Sequence, residues 1–528
     1  MSSNPEETSP PQPKSPEGAE TARTAGRGGL AVAAGKVYFI LLGLVQQIAL
    51  PRVLGLGGYG ALSNVLSIAS IAYNPVVTTS IQGTSRAVAQ SPDADRPAAI
   101  RRVLEIHGLM TLPLALGFFL LAPTIGNLAN APHLIPALRV VSGVMLFYGL
   151  YTPLVGVLNG RKLFLRQAGL DMTFATLRTL SLIGGGWYFA SRFDQGVLGS
   201  SWGFVGAAFL IFVLALAWVG IGKAGPGGPT VKEHLVFIGP LLLGQVLLNL
   251  LLQADLTLLR AFAGEAARAA AMPLQAADPL VGAYRATQLF CFLPYQLLIS
   301  VTFILFPMLA TAHRDGDTAA VARYVRTGVR LALLLAGLMV SVTSGLSGPL
   351  LRLVFPEEAA ALGTRSMQLL TLGFGGFAIF GILTTALNSL KRERASAATT
   401  ALAFGLVVVL CFWRVRGASF GEELLWRTAT ATSAGLVVAT LIAGWLLRRT
   451  ANALVRPLSA LRVGAAMAVA INVGRFLPPG SKLMTLIHAA LVALIYVVLL
   501  LVTRELGRAD LEMVKAVVAR RRGGSAAS

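Results

Sequence analysis

Charge is scarce in this chain, and acid is scarcer than base. Only 13% of its 528 residues are charged, with 23 Asp and Glu against 44 Lys and Arg. Soluble domains carry about 25% charged residues, so an ordinary water-facing surface is excluded. There are two cysteines, Cys291 and Cys411, far apart and inside apolar runs. That excludes a disulfide framework and a cysteine-based metal cluster. The HExxH and Walker A patterns are missing, which leaves metal hydrolysis and ATP-driven work without a local basis. Gly55, Gly57 and Gly60 satisfy GxGxxG, yet they join two apolar runs with no strand before them. They read as a tight extracytoplasmic turn and not as a dinucleotide loop. A non-enzyme is therefore expected, with no metal or cofactor, driven by the membrane potential or by H+ or Na+.

What the chain has in abundance is hydrophobicity, at 55% of residues and a mean hydropathy of +0.70. Apolar runs of about 20 residues, the length that crosses roughly 30 Å of hydrocarbon, cover roughly 29–50, 59–83, 103–123, 137–158, 169–190, 197–220, 234–261, 281–310, 328–349, 366–389, 395–413, 425–447, 459–474 and 483–503. An all-α polytopic membrane protein of about fourteen transmembrane helices follows. The first run is too long for a signal-peptide core and is read as a retained helix. The net charge of +21 would suggest nucleic acid in a soluble chain. Here about 27 Lys and Arg lie in the tails and alternate connections and about 9 in the others, so both termini are expected in the cytoplasm and no nucleic-acid partner is.

Three local matches recur at nearly one separation. Gly57-Gly58-Tyr59 resembles Gly282-Ala283-Tyr284, Ala98-Ala99-Ile100-Arg101-Arg102 resembles Ala319-Ala320-Val321-Ala322-Arg323, and Leu158-Asn159 with Lys162 resembles Leu387-Asn388 with Lys391. Two six-helix lobes in parallel pseudo-repeat follow, a design in which substrate sits between the halves and alternating access comes from rocking. The expected division is a disordered cytoplasmic tail (1–28), an N-lobe (29–220), a Gly/Pro-rich linker (221–233), a C-lobe (234–447), a further helix pair (448–503) and a basic tail (504–528). Leu511, Val514, Val517 and Val518 recur there at helical spacing, which suggests an interfacial helix.

Ionisable residues within spans cost about 2.5 to 3.5 kcal/mol unless they face a cavity or a partner. Lys36, Arg178, Arg260, Asp171 and Asp255 stand out on that ground. Gln245, Asn249, Gln253 and Arg260 share one helical face, a stripe suited to a wet cavity. Asp255 projects to the other side, with Arg285 a candidate partner. Arg52, Arg86, Arg139 and Arg285 lie near span ends, where snorkelling to headgroups is common. Glu105 and His107 open the third run and read as solvated. The excess of cations suits an anion, and a diphosphate fits: Arg offers bidentate contacts and Lys a point charge.

Residues 35–70, with Lys36, Pro51-Arg52-Val53-Leu54-Gly55 and Tyr59-Gly60, resemble the opening of the polysaccharide-export (oligosaccharide flippase) branch of the multidrug/oligosaccharidyl-lipid/polysaccharide (MOP) exporter superfamily. The stretch from Asp255 through Val281-Gly282-Ala283-Tyr284 to Pro307 resembles it too. The resemblance implies a flippase moving undecaprenyl-diphosphate-linked oligosaccharide to the outer leaflet of a bacterial plasma membrane for surface polysaccharide. Arg52-Val53-Leu54-Gly55 is also similar to the lipid II flippase branch, but Gly57-Gly58-Tyr59-Gly60 replaces that branch's Arg-Asp continuation. The multidrug branch implies a carboxylate in the first helix, where this chain has Lys36. Arg178, Arg260, Lys36, Arg52, Gln253 and Asn249 are the expected substrate contacts, and Asp255, Asp171 and Arg285 the expected coupling or ion-pair residues. The expected partners are lipid-linked oligosaccharide and membrane lipid, acting on a monomer. The alternatives are a lipid II flippase, an ion-coupled multidrug exporter, or a membrane glycosyltransferase or polymerase, the last opposed by connections no longer than about 20 residues.

Overall fold

The computed structural model describes residues 16–507, so residues 1–15 of the expected tail and the interfacial helix expected beyond residue 507 lie outside the described residues. Among the described residues there is no strand. The α-helices are α1 (Pro16–Gln90), α2 (Arg96–Leu128), α3 (Ile135–Gly160), α4 (Phe164–Phe193), α5 (Gly196–Val219), α6 (Val231–Ala269), α7 (Asp278–Cys291), α8 (Leu293–Arg314), α9 (Thr318–Gly345), α10 (Ser347–Val354), α11 (Glu357–Ser389), α12 (Glu393–Arg414), α13 (Glu422–Ala451), α14 (Pro457–Phe476) and α15 (Lys482–Val502). Eleven of these are long and apolar enough to cross a membrane. Every apolar run of the sequence falls in helix. The runs exceed the eleven because α1 holds two of them, α4 is diluted by Asp171, Arg178 and the Gly184-Gly185-Gly186 run, and the eighth is split between α7 and α8.

One expectation changes here. The helix of α1 reaches back to Pro16, over part of the expected disordered tail, in a stretch rich in alanine. The turn expected at 55–60 is present as one sharp bend at Gly55 inside α1: Tyr59 returns to within 2.6 Å of Gln47, so the two limbs lie back against each other. Pro51 removes one backbone donor, and Gly55 alone leaves the helical region, at φ 70° and ψ 171°. Only glycine adopts that conformation without strain.

Helix ends follow sequence signals. Thr230 and Glu233 form a reciprocal capping box at the start of α6, with bonds of 3.2 and 2.9 Å. Asp317 and Ser481 cap α9 and α15. The repeat noted at Lys162 and Lys391 is structural: both adopt positive φ, 59° and 57°, after α3 and α11. Each donates its N–H to the preceding Asn carbonyl, while the next residue bonds to Leu158 or Leu387.

The packing also repeats. In the first half α1 packs on α3 and α4, α2 on α3, and α5 on α3 and α4. In the second, α11 receives α7, α8 and α9, α6 packs on α12, and α13 on α11 and α12. The halves meet where α1 lies against α6 and α7. Outside this scheme, α14 and α15 pack on α9, where Tyr496 donates to the Leu334 carbonyl at 3.0 Å and Gly345 lies against Gly474. The end of the bundle bearing Gly55 is called the kink end, and the end bearing connection 220–230 the linker end.

Candidate functional site

Two adjoining cavities lie between the halves. One, of about 190 Å³, is a polar chamber walled by both limbs of α1, with Arg178 of α4, Gln253 of α6 and Arg285 of α7. Gln46, Gln47, Ser63, Ser67, Ser70 and Asn74 supply neutral hydrogen-bonding groups. The other, of about 490 Å³, is a mainly apolar groove between the first limb of α1 and α7–α8, walled by Phe39, Ile40, Leu44, Leu289, Phe292 and Leu293. Arg178, Arg285 and Gln47 line both. No Asp or Glu lines either one.

Arg178 rests over Phe204 and Phe39, 5.0 and 5.8 Å from the ring centroids. Its Nε is buried without a hydrogen-bond partner among the described residues. Arg285 donates to Gln288 Oε1 at 3.0 Å. The site thus presents guanidinium groups held by aromatic faces and an amide, with no carboxylate lining it, so their charge is available to an anion.

The structure gathers only part of the expected set. Arg178, Arg285 and Gln253 meet at the chamber. Asn249 accepts from Asn74 at 3.1 Å, a bond across the two halves. Lys36 lies nearer the linker end, within electrostatic reach of Asp171. Arg52 donates to the carbonyls of Ile48 and Val354, at 2.6 and 3.1 Å, which places it on the kink-end rim of the apolar groove. Arg260 is away from the chamber. Fully buried, it sits with its Nε 3.0 Å from Asp278 Oδ1 and donates from Nη2 to the Leu274 carbonyl at 3.0 Å. The shared face of Gln245, Asn249, Gln253 and Arg260 does not make one cavity, because α6 is long enough to pass different neighbours along its length.

Asp255 has no ion pair with Arg285. It accepts from Tyr284 Oη at 2.9 Å, from Gln288 Nε2 at 3.1 Å and from the Leu256 N–H at 2.8 Å. Arg285 reaches this carboxylate only through Gln288. Tyr284 and Gln288 follow Val281 and Gly282 in the repeat but carry no local signal of their role. Tyr59, the counterpart of Tyr284, donates likewise to a preceding side chain, Gln47, at 2.6 Å.

At the kink end the halves are closely joined. Asn130 donates to the Ala261 carbonyl at 2.9 Å and accepts from Arg268 at 3.0 Å, and His133 lies 2.9 Å from Asp278 Oδ2. Gly60 faces the backbone of α7 so closely that an added Cβ would stand 1.9 Å from the Asp278 carbonyl oxygen. Toward the linker end, His107 is buried rather than solvated: its Nδ1 is 3.0 Å from Ser80 Oγ and its Nε2 3.1 Å from His234 Nε2 of the other half. Arg86 stacks on Phe237 there, 4.0 Å from the ring centroid.

A GxSxG pattern, not expected from the sequence, is present at Gly417-Ala418-Ser419-Phe420-Gly421. It connects α12 to α13 with no strand before it, and the Ser419 hydroxyl donates to Glu423, so the strand-to-helix elbow that exposes a nucleophile is not formed. Among the described residues, no group of three or more His, Cys, Asp or Glu is placed to hold a metal.

An all-helical bundle in two similar halves around a polar chamber defines an integral multi-pass membrane protein. Residues 276–413 match the MatE family model. Comparison with curated proteins finds no match in sequence. Among solved structures, the fold is similar to the lipid II flippase MurJ in an inward closed conformation, with TM-score 0.72 and 15% identity over 90% of this chain and 99% of that one. It is similar to an inward-facing multidrug resistance MATE family transporter of the MOP superfamily, with TM-score 0.63 and 15% identity over 78% of this chain and 94% of that one. It also resembles a MOP superfamily transporter from Pyrococcus furiosus described by the reverse polarity of its binding pocket, with TM-score 0.56 and 15% identity over 81% and 95%. At that identity the likeness is one of fold. The matches are to transporters and flippases, not to enzymes.

Proposed function

We propose that this protein is a flippase for a polyprenyl-diphosphate-linked oligosaccharide, with undecaprenyl as the lipid, in the plasma membrane of a bacterium. The observation that carries this reading is the sharing of Arg178 and Arg285 between a polar chamber and an apolar groove. An amphipathic anion has that shape: a prenyl chain along Leu44 and Leu293, a diphosphate at the two guanidiniums, and sugar hydroxyls toward Gln46, Ser67 and Asn74. A cationic drug would meet the wrong sign of charge. The linker end, where Lys and Arg concentrate, is then cytoplasmic. Lys36 would meet the entering headgroup, with Arg52 at the opposite rim.

Moving about two negative charges out of a negative interior is favourable by roughly 4 to 5 kcal/mol per 100 mV, enough to drive the cycle. Asp255, held by Tyr284 and Gln288, and Asp171 near Lys36 are the candidate sites for a coupling proton or sodium ion. The chamber is closed toward the kink end by the Asn130, His133 and Gly60 contacts, so release to the outer leaflet requires the halves to part there.

Lipid II is the second reading, favoured by the 0.72 TM-score to the lipid II flippase fold and by Arg52-Val53-Leu54-Gly55. Reconstituted vesicles supplied with labelled lipid-linked oligosaccharide or lipid II separate the two. Outward movement of the oligosaccharide above protein-free vesicles, cut about tenfold or more by Arg178→Gln with Arg285→Gln, is expected, a loss of at least about 1.4 kcal/mol of stabilisation. Movement of neither lipid, or movement indifferent to both arginines, refutes the proposal.

A further inference from the structure

A second cationic cavity lies far from the chamber, at the linker end, where α9, the 452–456 connection, the start of α14 and the end of α15 meet. Its volume is about 370 Å³. Five arginines line it, Arg326, Arg330, Arg456, Arg462 and Arg504, with a single carboxylate, Glu505. Glu505 is 5% exposed and forms the floor. It takes Arg330 at 3.1 Å and Arg462 at 3.6 Å, and its backbone carbonyl accepts a further bond from Arg330. The cluster is therefore built on a buried anchor that ties α9 and α14 to the end of α15.

One carboxylate cannot neutralise five guanidiniums. Arg326, Arg456 and Arg504 have no acidic partner among the described residues, and all three are exposed at the mouth. Like charges held this close repel, and a surface with no ligand has no need to gather them over one floor. Arg504 stands at φ 56°, in the left-handed region, which returns the chain toward the cavity after α15. Leu454, Val455 and Leu458 complete the wall, and Leu458 and Leu461 are 54% and 69% exposed on the neighbouring face of α14. A cationic hollow bordered by an apolar face suits a phosphate group at the level where headgroups meet the hydrocarbon.

We infer that this cavity is a binding site for a phosphate-bearing anion, separate from the transport chamber, and that the anion's source is the headgroup of an anionic phospholipid of the leaflet at the linker end. Arg326, Arg456 and Arg504 contact the phosphate oxygens, while Arg330 and Arg462 are positioned by Glu505. The site lies on the helix pair outside the duplication, so lipid bound there braces α14 and α15 against α9. It does not depend on what the chamber transports.

The test uses the full-length protein in detergent, with native mass spectrometry after addition of phosphatidylglycerol or phosphatidylcholine, and phosphorus NMR of the delipidated protein with inorganic phosphate. Phosphatidylglycerol is expected to be retained in preference to phosphatidylcholine, and Arg326→Gln with Arg456→Gln and Arg504→Gln is expected to cut that retention at least about fivefold. Arg448→Gln with Arg449→Gln, at the same end of the bundle, and Arg178→Gln with Arg285→Gln, in the chamber, should leave it unchanged. Lipid retained under excess phosphate identifies the headgroup as the source; phosphate binding that alone depends on the three arginines assigns the same site to the free anion. Binding of neither, or binding that survives the triple substitution, overturns the inference. The three arginines carry none of the Glu505 contacts, so the variant keeps its anchor.

Discussion

Replacing Asp278 by Asn strips the buried Arg260 of its carboxylate. The guanidinium is fully buried, with Nε 3.0 Å from Asp278 Oδ1. At an effective dielectric constant near 20, unit charges at that separation attract by about 5 kcal/mol. Loss of one partner from a buried pair costs about 3 to 5 kcal/mol in practice, because the remaining charge stays desolvated. Arg260 keeps one bond, to the Leu274 carbonyl, and its Nε lies off the hydrogen-bond direction to Asp278, so the lower half of that range applies. Asp278→Asn is therefore expected to destabilise by about 3 kcal/mol. Arg260→Met with Asp278→Asn removes both charges and should recover a large part of the loss, giving a coupling energy of at least about 1.5 kcal/mol. Unfolding of the purified protein in mixed micelles, followed by tryptophan fluorescence across the four members of the cycle, measures it. An Asp278→Asn variant within about 0.5 kcal/mol of the parent, or a double variant equal to the sum of the singles, would show that the pair carries no such energy.

Two further outcomes follow from contacts between the halves. Gly60→Ala must push α1 from α7 by about 1 Å or more to bring its Cβ to contact distance, so it should cost about 1 to 3 kcal/mol and raise cysteine labelling of a probe at Leu56; unchanged labelling and stability would mean that the close approach at the kink end is not maintained. His234→Ala leaves the buried His107 Nε2 without its 3.1 Å partner and should destabilise by about 1 to 3 kcal/mol, with faster labelling of a cysteine at Ile238. Equal labelling with and without His234 would argue against a closure at that point.

Hydrophobic periodicity alone made the bundle legible. A stretch of about 20 apolar residues has few alternatives to a helix in lipid, where every backbone group must be bonded internally. The duplication was legible as well, since Lys162 and Lys391, matched by sequence, prove to share one left-handed cap. The reversal at Gly55 was legible too, since GLGGYG spells a turn; that one glycine makes it inside a single helix was not. Arg178 could be singled out by the cost of its burial, and Lys36 and Asp171 likewise, but nothing local told that Arg260 would be occupied by Asp278 and Arg178 left open.

The sequence by itself determined which segments are helical, which charges lie at membrane depth and that the chain repeats, because length, spacing and solvation cost are local properties. The tertiary structure alone decided which charges are neutralised and which remain available. Asp278 answers Arg260, Gln288 stands between Asp255 and Arg285, and Glu505 gathers arginines from α9 and α14. Helical periodicity assigns each side chain a face; only packing against helices distant in the chain assigns that face a neighbour, and electrostatic balance depends on the neighbour.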